Sequence, residues 1–417
     1  MNLPVIVLLA VFVLIAIRQV GRFRLRIWQV MLGGGVIVFI AATATGGLQA
    51  SWGLILSINL DVILFLFGMF VIGEALHRSG YLFHLSHRIF RRARSVDALV
   101  LTILFAVGFF SALLMNDTLA IIGTPLMLFY ARRFGLSTKL MLLTLAFAVT
   151  TGSVMSPIGN PQNLLIALNG GVPNPFVTFF LYLTVPTIIN LFVAYAVLRL
   201  FFRKEFGKEI AGFRDEPLRD PRLARLCKAA LLLVIALIVL KVALVVLYPS
   251  FEFRLTYIAL VAIIPIVVFS RERVAVVRKI DWSTLVFFAA MFVLMAGVWS
   301  TGFFQEAIAE LSLDLTSVPV ILALSVLLSQ LISNVPFVAL YIPLLRNAGA
   351  GTREMMALAT GSTTAGNMLP LGAASNVIIV QNAEREKETL TFRDFARVGV
   401  PLTILQILVY WAWLSII

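Results

Sequence analysis

The chain has 417 residues, 61% of them hydrophobic and 13% charged, with a mean hydropathy of +1.02, a composition that no soluble surface of this size tolerates. At about 20 residues per spanning helix the length allows roughly ten to twelve crossings and excludes a large extramembrane catalytic module. One cysteine, Cys227, excludes an intrachain disulfide, and three crowded histidines, His77, His84 and His87, give no zinc or haem pattern, so no cofactor is expected.

The net charge of +13 would suggest nucleic acid in a soluble protein; here it reports topology, and no nucleic-acid partner is expected. Apolar runs fall at 3–17, 28–46, 60–76, 98–131, 140–168, 176–198, 229–247, 255–270, 282–298, 315–345, 355–380 and 398–417. The first run lacks the positive flank and cleavage site of a signal peptide and reads as a span. Tyr81 to Arg94 alternates aromatic and basic residues and reads as an interfacial segment whose histidines are solvated. Basic residues gather in six clusters, Arg18–Arg26, Arg78–Arg94, Arg132–Lys139, Arg199–Lys228, Arg271–Lys279 and Arg385–Arg397, which hold 29 of the 33. The positive-inside rule puts all six in the cytoplasm, with both termini outside and an even number of crossings between clusters. Trp28 and Trp282 then fall at the inner interface, Trp52 and Trp299 at the outer one. Lys241 reads as a snorkelling side chain near the outer end of its helix.

The chain matches itself. Met69-Phe70-Val71 and Ser79-Gly80-Tyr81 correspond to Met291-Phe292-Val293 and Thr301-Gly302-Phe303 at an offset of 222. Ser111, Asn116 and Pro125 correspond to Ser329, Asn334 and Pro343 at 218, and Thr151, Gly159 and Asn163 to Thr364, Gly372 and Asn376 at 213. This kept order marks a duplication. The segments 98–131 and 315–345 contain 34 and 31 residues, too few for two spans of about 20 each and a turn, and read as re-entrant hairpins with tips at Asn116 and Asn334. The segments 140–168 and 355–380 carry Gly, Pro and Asn islands and read as broken helices. Each half then has five spans, and an odd number inverts the second copy. The predicted fold is an all-α polytopic membrane protein of about ten spanning helices in two inverted repeats. Residues 1–203 and 225–417 form the repeats, and 204–224 a cytoplasmic linker.

The islands SPIGNPQN, SNVPFVALYIPLL and GSTTAGNMLPLGAASNVII resemble elements of the ion transporter superfamily, which includes arsenite permeases, related Na⁺/H⁺ antiporters, citrate carriers and divalent anion:sodium symporters. The resemblance covers nearly the whole chain. Asn116-Asp117-Thr118 and Ser333-Asn334-Val335 stand where dicarboxylate carriers have paired Ser-Asn-Thr signatures. Asp117, and Val335-Pro336 in place of the second Thr, depart from that pattern, so the arsenite-permease-like branch fits better. The resemblance implies secondary transport by an elevator-like or rocking motion.

Polar breaks at membrane depth need protein or a water-lined cavity to satisfy them and so mark a binding site. The candidate substrate and ion ligands are Asn116, Asp117, Thr118, Ser156, Asn160, Gln162, Asn163, Ser333, Asn334, Thr363, Thr364, Asn367, Ser375 and Asn376, with a possible Na⁺ at Asn116, Asp117 and Asn334. These side chains, with unwound carbonyls and half-helix N-termini, offer acceptors for a cation and positive dipole ends for an anion. Asp117 is the one carboxylate placed near the midplane; its alternative reading is a helix cap. Asn116 and Asn334 could instead fix the hairpin tips, and Asn163 and Asn376 could cap the resumed half-helices. Gly68, Gly73, Gly123 and Gly152 read as packing positions. The function expected is secondary transport of a small inorganic or organic anion across the inner membrane, coupled to H⁺ or Na⁺. A Na⁺/H⁺ antiporter, a sodium-coupled dicarboxylate or citrate carrier and a channel stay open as alternatives. No enzymatic constellation is present, and a homodimer in the bilayer is compatible with the reading.

Overall fold

In lipid an apolar run must close its own backbone hydrogen bonds, and this chain does so as helices. The computed structural model describes residues 3–17, 19–20, 23–24, 26–210, 219–247, 253–303, 306 and 314–417. Before the expected linker lie α1 (Leu3–Ile17), α2 (Ile27–Leu56), α3 (Leu60–Ser79), α4 (Tyr81–Phe90), α5 (Val96–Leu114), α6 (Asn116–Phe134), α7 (Thr138–Ser153), α8 (Pro161–Asn169) and α9 (Pro175–Phe201). The chain continues with α10 (Pro221–Leu247), which starts inside the expected linker 204–224, and then α11 (Leu255–Ala262), α12 (Ile264–Phe269), α13 (Arg273–Lys279), α14 (Trp282–Trp299), α15 (Val318–Ile332), α16 (Asn334–Asn347), α17 (Thr352–Thr364), α18 (Ala374–Arg385) and α19 (Phe392–Ile416). One departure from an all-α chain is a two-residue antiparallel ladder, Gln19–Val20 with Phe23–Arg24, in the first basic segment. Most of the expected outer loop 306–312, and residues 211–218 of the linker, lie outside the described residues.

Among the described residues seven helices are long and apolar enough to cross a membrane. One of them, α5, is a hairpin arm. The other six, with α1 and the composite spans α7/α8, α11/α12 and α17/α18, make the ten crossings expected. The first hairpin is longer than its apolar run suggested. Its arms of 19 residues each reach about 28 Å at 1.5 Å per residue, because Ser95 caps α5 by accepting from the Ala98 amide and α6 continues through Arg132 and Arg133 to Gly135. Re-entrance therefore rests on where the arms begin and end.

The contacts sort into two ends. At one, Asp97 at the start of α5 lies 3.6 Å from Arg199 and Arg397 stands over the Phe201 ring at 5.7 Å. Lys139 pairs with Asp394 at 2.9 Å and Arg132, in the last turn of α6, with Glu386 at 3.4 Å. Both arms of the first hairpin thus share one end. Arg78 and Glu272, at 2.5 Å, add the remaining basic clusters with described side chains. At the other end Asn59 donates to Asn169 at 2.8 Å, Arg346 to the Asn169 carbonyl at 3.3 Å, and Arg254 pairs with Asp61 at 3.7 Å. Lys241 donates to the Phe253 carbonyl and lies over that ring. The second hairpin enters here, its arms joined by Tyr341 donating to the Leu315 carbonyl at 2.9 Å. The two hairpins enter from opposite ends, as an inverted repeat requires.

Small residues set the closest approaches. A Cβ on Gly152 of α7 would lie 2.2 Å from the Gly108 Cα of α5, so there the two backbones touch. The same helix pair in the second repeat, α15 and α17, closes on Ser325 and Gly361. Gly73 of α3 receives Thr118 of α6, whose hydroxyl a Cβ would meet at 2.7 Å. α4 is not free in the interface: Leu82 and Phe90 are buried, and Phe83 and Phe90 pack edge-on against Phe129 and Tyr130 of α6.

Candidate functional site

The first hairpin turns at Met115, with φ 67° and ψ 137°. The second turns at Ser333, with φ 71° and ψ 153°. A side-chain-bearing residue in this region costs about 1–3 kcal/mol and persists only where its surroundings hold it. The same conformation recurs at the offset found in the sequence, so the duplication is visible in the backbone. The turn residues precede the predicted tips by one, and Asn116 and Asn334 open the returning arms. No side chain caps α6 or α16, so the amides of their first turns that no carbonyl among the described residues engages, at Asp117 and Thr118 and at Asn334 and Val335, keep the partial positive charge of a helix N-terminus, Pro336 having none to give. The Asn116 amide donates to the Gly159 carbonyl at 2.9 Å, fixing the first tip against the break between α7 and α8.

That break is closed on itself. Asn160 accepts from the Asn163 amide at 2.9 Å, which caps α8, and donates to the hydroxyls of Ser153 at 2.9 Å and Thr363 at 3.3 Å. Asn163 donates to the carbonyls of Ser153, Val154 and Ser156 at 3.1, 3.2 and 3.0 Å and accepts from Thr363 at 3.1 Å. Gln162 reaches Thr363 at 3.4 Å, and the Ser156 hydroxyl accepts from the Ile158 amide at 3.3 Å. Four candidates of the first repeat and Thr363 of the second are therefore brought together, with their polar atoms engaged by one another.

The second break is open by comparison. Asn376 donates to the Gly366 carbonyl at 2.5 Å, the counterpart of Asn163 on Ser153, but among the described residues no group donates to its Oδ1. The same holds for Ser375 Oγ, Asn367 Oδ1, Gln330 Oε1, Asn334 Oδ1, Asn116 Oδ1 and Asp117 Oδ1. Gln330, one turn before the second tip, donates to the Ala365 carbonyl at 2.8 Å and so ties that tip to the second break. Thr364 is buried at the end of α17, and Thr118 faces Gly73 instead of the breaks.

A buried acceptor with no donor costs about 1–3 kcal/mol, and a run of them is suited to a hard cation or a proton-bearing ligand. Among the described residues no three His, Cys, Asp or Glu side chains meet. Any cation here would be held by amide, hydroxyl and carbonyl oxygens with Asp117.

Two residues outside the predicted set join the halves. Asn190 of α9 donates to the Gln406 carbonyl and Gln406 of α19 donates to the Asn190 carbonyl, both at 3.3 Å. Such reciprocity is the sign of a local two-fold axis. Gln406 also donates to Thr151 at 3.0 Å and accepts from Asn367 at 2.7 Å, while Asn367 donates to Thr151 at 3.0 Å. Asn190 and Gln406 are 216 positions apart, inside the range of the other duplicated pairs, and each interrupts an apolar helix. Those two signals together were available in the sequence.

Two helix breaks and two hairpin tips set in opposite senses, each tip tied to a break and the two halves joined by polar bonds at Thr363 and at Asn190 and Gln406, are the architecture of a membrane transporter. The chain belongs to the citrate transporter family (CitMHS), whose profile matches residues 7–354. This family lies within the ion transporter superfamily that the islands resemble. An uncharacterized transporter of Mycobacterium bovis is 28% identical over 97% of this chain and 95% of its own length. A silicon efflux transporter of Oryza sativa is 28% identical over 84% of this chain and 85% of its own. The crystal structure of the YdaH transporter of Alcanivorax borkumensis shares the fold, with a TM-score of 0.57 at 18% identity over 99% of this chain and 97% of that one.

Proposed function

We propose that the protein is a secondary active transporter of a small inorganic or organic anion, coupled to H⁺ or Na⁺ and working in the inner membrane. The end that carries the basic clusters is cytoplasmic and both termini lie outside, with residues 1–203 and 225–417 acting as the two repeats. The observation that carries the reading is the juxtaposition of uncapped helix N-termini with acceptor oxygens that no protein donor engages. The N-termini suit the anion, and the oxygens suit the co-bound cation that neutralises it, since the tips and breaks contain no Lys or Arg. The rice relative, named a silicon efflux transporter, supports a small inorganic solute as one member of the substrate class. Cation antiport is the second reading, favoured by Asp117, whose Oδ1 neither caps α6 nor meets another donor.

Purified protein in proteoliposomes, given candidate oxoanions, citrate and other carboxylates under imposed pH and Na⁺ gradients, tests this. Saturable uptake that follows one gradient and shows counterflow is expected. Uptake of Na⁺ against a pH gradient with no anion requirement would replace the proposal by the antiport reading, and product formation would make the protein an enzyme. Asp117→Asn keeps the shape and removes the charge, so it is expected to abolish gradient dependence while folded yield stays near that of the parent. Unchanged ion dependence in that variant would remove Asp117 from the site.

A further inference from the structure

On the face of α9 and α19 turned away from the core, an apolar trough of ≈ 550 Å³ runs between Val193–Leu200 and Leu405–Ala412. Its rim is exposed, with Leu200 55%, Leu405 44% and Leu408 49% accessible, over a floor that includes the buried Val197. At one end the trough joins a cleft of ≈ 530 Å³ that shares Ala196 and Leu200 and adds Tyr195, Arg199 and Arg203.

The charge at that end is positive. Asp97 is the carboxylate there, and it already accepts from the Tyr195 hydroxyl at 2.7 Å and the Gly207 amide at 2.9 Å. Arg199 lies 3.6 Å from it with 60% of its side chain exposed. Arg203 is exposed and has no ion pair among the described residues. Arg397 stands over the Phe201 ring, and Glu205 is taken by Lys208 at 2.8 Å. Arg199 and Arg203 line the cleft and Arg397 stands beside it over Phe201, against the already engaged Asp97 and the nearby Glu209, so the lining itself carries a net positive charge. The trough runs along eight residues of α9, Val193 to Leu200, about 10 Å of helix from first to last, enough for a large part of an acyl chain. A second copy related by an axis along the membrane normal would bring its own three arginines to the same end, against these, which favours an anionic lipid over a dimer contact.

We infer that the trough and cleft form a site for an anionic glycerophospholipid, its phosphate between Arg199 and Arg203 and one acyl chain between α9 and α19. A basic residue near an anionic headgroup contributes about a fivefold factor in affinity. The lipid would rest on the helix pair that Asn190 and Gln406 join at the centre, yet its binding is measured without any transported substrate. The test is native mass spectrometry of the full chain in neutral detergent, titrated with phosphatidylglycerol or phosphatidylcholine of equal chain length. Preferential retention of phosphatidylglycerol is expected, reduced about fivefold in Arg203→Gln and further in Arg199→Gln/Arg203→Gln. Water-soluble glycerol phosphate should not compete, because it lacks the chain that fills the trough. Arg203→Gln leaves the bonds of Asp97 intact and so keeps the test valid if the double variant folds poorly. Equal retention of the two lipids, an unchanged preference in Arg203→Gln, competition by glycerol phosphate, or disulfide-linked dimers of Ala196→Cys would each overturn the inference.

Discussion

Asn163 and Asn376 are equivalent in the duplication, and the sequence alone expects the loss of either to weaken substrate or coupling-ion binding. Their bonds make the two cases different. Asn163→Ala removes one NH2 group shared among three carbonyls and one oxygen that accepts from Thr363. An NH2 has two hydrogens, so about three full hydrogen bonds disappear. At about 1 kcal/mol each, and more for buried groups left unpaired, the cost is roughly 3–6 kcal/mol. Asn376→Ala removes one bond, to Gly366, and an oxygen with no protein donor, a cost of about 1–2 kcal/mol. Polar contacts between membrane helices average less than these figures, so the difference of about 2 kcal/mol or more is the quantity to measure. Reversible unfolding of both purified variants, alongside substrate and Na⁺ binding to the folded fraction, gives it. Asn163→Ala should lose far more stability, and Asn376→Ala should lose tenfold or more in affinity while remaining monodisperse. Equal stability losses, or wild-type affinity in Asn376→Ala, would refute the division into a closed break and an open one.

Gln406→Leu should destabilise the protein by about 1–3 kcal/mol through the stranded Asn190 carbonyl and Asn367 amide, and Gln406→Glu, which preserves the acceptor, should recover part of that in a thermal melt. Gly152→Val should fail to yield folded protein by size-exclusion chromatography, because its Cβ would meet backbone 2.2 Å away; overpacking costs about 1–3 kcal/mol where side chains can yield, and backbone cannot. Impermeant labelling of single cysteines in cells should mark Pro173→Cys from outside and Lys208→Cys only after permeabilisation, and the opposite pattern would reverse the topology.

The ten crossings, both hairpins and both breaks were legible because hydropathy and duplication act over whole segments. Boundaries were less so. The arms of the first hairpin extend past its apolar run because Ser95 and Gly135 cap them, and caps lie outside hydropathy. The polar islands point to Asn160, Asn163 and Thr363 as candidate ligands, but a sequence does not distinguish an amide that holds the fold from one whose oxygen is unengaged. That distinction depends on which carbonyls the chain brings within 3 Å, as Ser153, Val154 and Ser156 are brought to Asn163. Gln330 gives no signal in the sequence, where it reads as one polar residue on an otherwise apolar arm. Only the folded chain shows it holding the second tip to Ala365.

Asn190 and Gln406 differ by one methylene, and that length makes the interior unequally stiff. The longer side chain passes beyond the axis to Asn367 and Thr151; the shorter one stops at its counterpart's main chain. The first break is tied within its own half by Asn163 and to the other half through Thr363. The second is held by fewer bonds and is linked through Asn367 and Gln406 to Thr151 of the first half and to both helices that flank the axis. A displacement at either break would therefore strain bonds that cross between the halves, at the first through Thr363 and at the second through the pair α9 and α19.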